Sequence, residues 1–188
     1  DERTGHSDRF HFREGLAEYA RFLNQNEELL MAKPILISNE VDITDPSAPL
    51  VMNDRYAPPP GRTHPVKMTV DVAIQYNKKY TELVFAYTNL ITNPEGGTHL
   101  SGFRSALTRV VNNYAKANNL IKDKDPKLTG DDMREGLVAI ISVKHPDPKF
   151  QSQNKTRLTN PEVEGVVQKV VGEGLQYAFE KDPKMAKA

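Results

Sequence analysis

Leu137-Val138-Ala139-Ile140-Ile141-Ser142-Val143 is apolar almost without interruption, with no period of two to divide it into an inner and an outer side. A strand of that kind is buried on both faces, so it sits centrally in a sheet covered by helices. It runs straight into Lys144-His145-Pro146-Asp147-Pro148-Lys149-Phe150-Gln151-Ser152-Gln153-Asn154-Lys155-Thr156-Arg157-Leu158. Two prolines stiffen this loop, and its tip, Gln153 to Arg157, carries two cations. Two readings fit the tip. It is a solvated connector kept soluble by its lysines, or a rigidly supported cationic loop that reaches an anion on a neighbouring surface.

Helix signals bracket this strand and loop. Downstream, Asn160 stands as an N-cap with Pro161 at the first helical position. Val163, Val166, Val167, Val170 and Val171 then form a helical stripe that Leu175, Ala178 and Phe179 extend. Upstream, Thr129-Gly130-Asp131-Asp132 has the capping-box pattern of a short helix, which Gly136 stops. The acidic pair suits the positive end of that helix, which accounts for Asp131 and Asp132 without catalysis or magnesium.

Further out, Met68, Val70, Val72, Ile74 and Tyr76 alternate with polar or small residues, the period of a strand with one face on the core. Leu83, Phe85 and Tyr87 alternate likewise, and Asn77-Lys78-Lys79 between the two runs predicts an antiparallel hairpin. Asn93-Pro94-Glu95-Gly96-Gly97-Thr98-His99 breaks the sheet and leads into a helix striped by Leu100, Phe103, Leu107, Val110, Val111 and Tyr114. The glycine pair lacks the G-x-x-x-x-G-K-[ST] phosphate-loop pattern, so it reads as a hinge. His99 beside it has the chemistry of an acid-base group but no oriented partner in the sequence.

Toward the amino end, Leu16, Tyr19, Ala20 and Leu23 stripe a helix over Arg13 to Asn24, and a strand runs from Pro34 to Asp42. Residues 1–12, with His6 and His11, read as a leading segment or an edge strand. Between about 43 and 66 the chain holds Pro46, Pro49, Pro58, Pro59, Pro60 and Pro65. Such a stretch forms neither ladder nor helix, and it reads as a surface insertion of polyproline character.

The 188 residues suffice for one sizeable domain with a core. Lys+Arg and Asp+Glu both number 25. The chain as a whole is therefore no polycation, and contact with nucleic acid requires a local patch. Cysteine is absent, which excludes disulfides and thiolate metal sites and fits a reducing, cytoplasmic setting. No apolar run approaches the roughly 20 residues of a membrane span. The five histidines form no metal-site motif, so no metal-binding residue is assigned. Beginning at Asp1 without a methionine, the chain reads as a piece of something longer.

Leu128-Thr129-Gly130-Asp131-Asp132-Met133-Arg134-Glu135-Gly136-Leu137, with Ser142-Val143-Lys144 and Pro146-Asp147-Pro148-Lys149-Phe150, resembles the B subunit of bacterial DNA gyrase and the matching subunit of topoisomerase IV. Gln153-Asn154-Lys155-Thr156-Arg157-Leu158 is similar to that family's Gln-Thr-Lys-Thr-Lys-Leu loop. Gly96-Gly97-Thr98-His99-Leu100, Gly102-Phe103-Arg104 and the opening Asp1-Glu2-Arg3 match as well, so the likeness covers nearly the whole chain in order. Two departures stand out: Asn154 and Arg157 in the loop, and the longer proline-rich stretch.

The resemblance implies a single transducer domain over residues 1–188, between an ATP-binding GHKL-type domain upstream and a Toprim domain downstream. It implies an α/β (α+β) fold: a mixed four-stranded sheet, helices packed on one side, and a left-handed β-α-β crossover where the general rule is right-handed. Gln153 and Lys155 would touch the γ-phosphate of ATP held in the preceding domain, with Lys155 the catalytic contribution. Arg104 would face transported DNA. Mg2+ would belong to the parent enzyme rather than to this piece. The implied partners are DNA, a gyrase A-type subunit and a second copy of the parent, with no membrane. An alternative keeps the chain as a stand-alone nucleic-acid-binding module using Arg104, Arg109, Lys144, Lys149, Lys155 and Arg157.

Overall fold

The computed structural model describes residues 13–43, 66–122 and 124–187. The first helix, α1, is Leu16–Leu23, and the strand β1 is Ile35–Asp42. β2 is Lys67–Tyr76, β3 is Leu83–Thr88 and β4 is the two-residue Ile91–Thr92. The long helix α2, Thr98–Ala117, precedes β5, Leu137–Lys144. α3, Pro161–Lys181, and the short α4, Pro183–Lys187, follow.

The five strands form one mixed sheet in the order β1-β2-β5-β3-β4. β5 is central, as its uninterrupted apolar character requires. It pairs antiparallel with β2, Tyr76 opposite Leu137, and parallel with β3, Leu83 opposite Val138. The predicted β2–β3 hairpin is therefore wrong: β5 inserts between them, and the segment after β2 turns elsewhere. Asn77 bridges Leu29 and donates its backbone N–H to the Gly136 carbonyl at 2.9 Å. Period-two alternation reports which face a strand buries and leaves its neighbour open. The four long strands make the expected four-stranded mixed sheet, and β4 adds a short edge.

Alternate residues of β5 serve two packing layers. Leu137, Ala139, Ile141 and Val143 join the main core under α2 and α3, with Phe103, Leu107 and Val110 from one helix and Val163, Val167 and Leu175 from the other. Ile140 faces the opposite way, against Ala73 and Ala20, with Tyr19 of α1 tilted over Phe85 at 5.9 Å. The two long helices thus share one side of the sheet, and α1 covers part of the other. They pack closely because Gly102 has no side chain: a Cβ there would stand 2.3 Å from the Glu164 carbonyl oxygen. Farther along, Tyr114 meets Phe179 edge-on at 5.1 Å.

The Thr129 capping box forms its hydrogen bonds, with the Thr129 N–H donating to Asp132 at 2.6 Å and the Asp132 N–H to Thr129 Oγ1 at 3.3 Å. The Thr129 contacts hold the Asp132 carboxyl below the usual carboxylate range. Residues 130–136 nevertheless form successive turns rather than the predicted helix. Glycine and two aspartates have low helix propensity, and Gly136 ends the run at a φ of 69°.

The readings for residues 1–12, and the proline-rich stretch from 44 to 65, lie outside the described residues. The two described residues that flank that stretch are hydrogen-bonded, the Ile43 N–H donating to the Val66 carbonyl at 2.9 Å.

Candidate functional site

The loop after β5 is bound to the fold along most of its length. At its root, Asn89 and His145 make a reciprocal pair. The Asn89 Nδ2 donates to the His145 carbonyl and the His145 N–H to Asn89 Oδ1, both at 2.8 Å. Asn89 and Leu90, with φ of 48° and 69°, form the two-residue turn between β3 and β4, which aims the Asn89 amide at the end of β5. His145 is buried: its Nδ1 accepts from the Asp147 N–H at 3.1 Å, and Nε2 lies 3.1 Å from the Glu162 carboxylate.

Asn160 occupies the predicted N-cap position, but its side chain makes no cap bond. Fully buried, it turns back to clasp the loop. Its Oδ1 accepts from the Lys149 N–H at 2.5 Å, and its Nδ2 donates to the Asp147 carbonyl at 3.1 Å and to Glu162 at 2.7 Å. The loop between these anchors is a narrow hairpin, Phe150 bridging Leu158, with the Gln151 N–H donating to the Arg157 carbonyl at 3.0 Å.

That hairpin is stitched to the segment opening α2. The Glu95 N–H donates to the Thr156 carbonyl at 3.0 Å, the Leu158 N–H to Gly96 at 3.0 Å, and the Thr98 N–H to Leu158 at 3.1 Å. The Gly96-Gly97 pair therefore serves close backbone approach rather than hinge motion. The N-terminal turn of α2 is partly satisfied by Leu158, which argues against a phosphate cradle there.

At the tip, Gln153 and Lys155 are both exposed. Lys155 adopts the left-handed backbone, φ 57°, a conformation that costs a non-glycine residue about 1–2 kcal/mol. Two backbone contacts hold it there: the Lys155 N–H donates to Ser152 at 3.0 Å, and Asn93 Nδ2 donates to the Lys155 carbonyl at 2.7 Å. The ammonium lies 5.9 Å above the Phe150 ring, and among the described residues no carboxylate pairs with it.

The other basic residues divide by partner. Arg104 forms a two-pronged pair with Glu82, both contacts 2.9 Å. Lys144 lies 4.0 Å from Asp71, and Lys149 3.7 Å from Asp147. Arg104 meets Glu82 next to the start of β5, whereas Lys144 closes that strand, so the six candidate cations do not form one patch. A separate groove along α2 is lined by Arg104, Ser105, Thr108, Arg109, Asn112 and Lys116, together with Asn113 and Lys127, and among the described residues no carboxylate lines it. Lys116 and Lys127 do not stand out in the sequence because they lie off the apolar stripe and 11 residues apart.

His99 is fully buried in the first turn of α2, and neither ring nitrogen has a hydrogen-bond partner among the described residues. Burial pushes its pKa down to about 4. It is a neutral core residue here. Among the described residues no three His, Asp or Glu side chains converge on one point. Nor is any described helix long and apolar enough to cross a membrane.

Residues 15–188 match the family described as DNA gyrase B. The chain is similar to the gyrase B protein of Clostridium acetobutylicum, 37% identical over 187 residues, which is 100% of this chain and 26% of that protein. It is 56% identical over 118 residues to the gyrase B protein of Mycolicibacterium smegmatis, covering 63% of this chain and 18% of the relative. Among solved structures, the 43K ATPase domain of Thermus thermophilus gyrase B, in complex with an aminocoumarin, superposes with a TM-score of 0.74 at 36% identity. That match covers 95% of this chain and 41% of the other. The topoisomerase IV ATP-binding domain of Francisella tularensis, in complex with a small-molecule inhibitor, gives a TM-score of 0.70 at 25% identity, covering 99% and 43%. The chain spans about a quarter of the length of the gyrase relatives it matches end to end. It belongs to the DNA gyrase B family.

Proposed function

We propose that this chain is the transducer domain of an ATP-dependent type IIA topoisomerase, and that its loop donates Gln153 and Lys155 to the γ-phosphate of ATP held by a preceding domain. The observation that carries the reading is the state of Lys155. It is an exposed cation without a carboxylate partner among the described residues, on a tip whose backbone is fixed from two sides. An ammonium left unneutralised on a rigid support is suited to an external phosphate.

Phosphoryl transfer to water leaves the protein mainly positioning and charge stabilisation to perform. Lys155 supplies the charge, and the Gln153 amide supplies a neutral donor beside it. Because both come from a second domain, the position of that domain depends on whether the γ-phosphate is present. Hydrolysis removes the anchor and frees the domain to move. ATP binding then closes a gate of two parent subunits around DNA, and hydrolysis reopens it. Mg2+ and the attacking water belong to the preceding domain. The parent works in the cytoplasm with a gyrase A-type partner.

The cationic groove along α2 supports a DNA-facing role for Arg104 and its neighbours. It also leaves room for the second reading, a module that binds nucleic acid by itself. Salt-dependent DNA affinity of this chain separates the two, since independent binding through several phosphates gives a steep salt slope. For the main reading, Lys155→Ala in the intact protein should lower ATP turnover by about 100-fold. Wild-type turnover would refute it.

A further inference from the structure

We infer that Asn93 is a positioning residue for Lys155, setting where the lysine's ammonium stands for phosphate contact. This inference rests on the reading that Lys155 touches the γ-phosphate.

Asn93 is 1% exposed and belongs to the connection between β4 and α2, 62 residues from Lys155 in sequence. Its backbone is fixed by donation to the Ala86 carbonyl at 2.8 Å, and its own carbonyl accepts from the Gly96 N–H at 2.8 Å. The side-chain amide has two partners, Thr88 Oγ1 at 2.7 Å and the Lys155 carbonyl at 2.7 Å. A carbonyl only accepts, so the NH2 must face Lys155, and Thr88 must donate to Oδ1. Thr88 is itself fully buried. The amide therefore has one orientation, and its donor side is committed to one carbonyl.

That carbonyl belongs to the residue with the left-handed backbone at the loop tip. Without the Asn93 bond, the Lys155 peptide loses a partner that offsets its unfavourable φ, and the tip relaxes toward ordinary conformations. A changed φ at Lys155 redirects its side chain. The placement of the ammonium thus depends on the β3–β4 hairpin as well as on the strand that delivers the loop.

The test is a double-mutant cycle in the full-length protein, reading kcat for ATP hydrolysis. Asn93→Asp keeps the acceptor for Thr88 and removes the donor to Lys155. It should lower kcat by roughly tenfold or more in the presence of Lys155, since misplacement of about 1 Å costs up to ~100-fold. In the Lys155→Ala background the loss should be several-fold smaller, because no ammonium remains to misplace and only Gln153 is left on the tip to meet phosphate. Equal losses in both backgrounds, or no loss with Lys155 present, would overturn the assignment. Should Asn93→Asp fail to fold, Thr88→Val replaces it: it releases the Asn93 amide without touching the loop, and the same background dependence is required. If Lys155→Ala alone leaves turnover intact, the phosphate reading itself fails, an outcome distinct from an ineffective Asn93→Asp.

Discussion

Gly97 and Leu158 lie so close that a Cβ on Gly97 would stand 2.2 Å from the Leu158 carbonyl oxygen and 2.6 Å from its nitrogen. The glycine also holds a φ of 132°, which side-chain-bearing residues rarely adopt. These two residues join the start of α2 to the end of the candidate loop. Gly97→Ala should therefore destabilise the chain by about 3 kcal/mol or more, through overlap as well as backbone strain. Gly15→Ala is the control: its φ is 54° but nothing lies within 4 Å of the added carbon. It should cost only about 1 kcal/mol. Denaturant unfolding compares the two.

His99 gives the fold a pH dependence. Its pKa is about 4 when folded against 6.5 for a free histidine. Below 6.5 the unfolded chain binds a proton that the folded one refuses, so stability falls as pH drops from about 6.5 to 4. The full loss is about 3 kcal/mol. His99→Leu should flatten this part of the stability profile and cost little at about pH 8, where the histidine is neutral in both states and neither ring nitrogen has a partner among the described residues to lose. An unchanged profile would show that another group titrates.

Asn160 should matter more than an ordinary helix cap. Asn160→Ala removes the side-chain hydrogen bonds to Asp147, Lys149 and Glu162 at once. The expected cost is about 2–4 kcal/mol, against about 1 for a lost cap. Hydrogen exchange should accelerate first at the Lys149 amide, whose Asn160 acceptor is gone.

Arg104 cannot serve a DNA phosphate fully while Glu82 holds it with both carboxylate oxygens. If the groove faces DNA, Glu82→Gln in the intact protein should tighten DNA binding at low salt. Arg104→Ala should weaken it and reduce the salt slope by about one ion. Opposite or absent changes would remove Arg104 from the interface.

Much of this architecture is readable from local pattern. The apolar run from Leu137 to Val143 sets β5 at the centre, and the stripes over α2 and α3 mark the faces that cover it. Strand order is not readable. The Asn77-Lys78-Lys79 turn looks like a hairpin, yet a strand buried on both faces also needs neighbours on both edges, and β2 and β3 supply them. The loop tip is recognisable as a cationic feature on stiff supports, and a family resemblance singles out Gln153 and Lys155. The supports themselves are not legible. Asn93 and Asn160 read locally as breaker and cap residues, and nothing in the local pattern singles out Asn89. Each commits its amide to a partner 11 to 62 residues away, and only folding creates those pairs.

Whether Lys155 completes a phosphate site in another domain is tested most directly by a crystal structure of the intact protein with a non-hydrolysable ATP analogue. Lys155 Nζ should then stand about 2.7–3.2 Å from a γ-phosphate oxygen, with the Asn93 bond to the Lys155 carbonyl intact. A bound analogue whose γ-phosphate is met by other residues, with the Lys155 ammonium in solvent, would contradict that role.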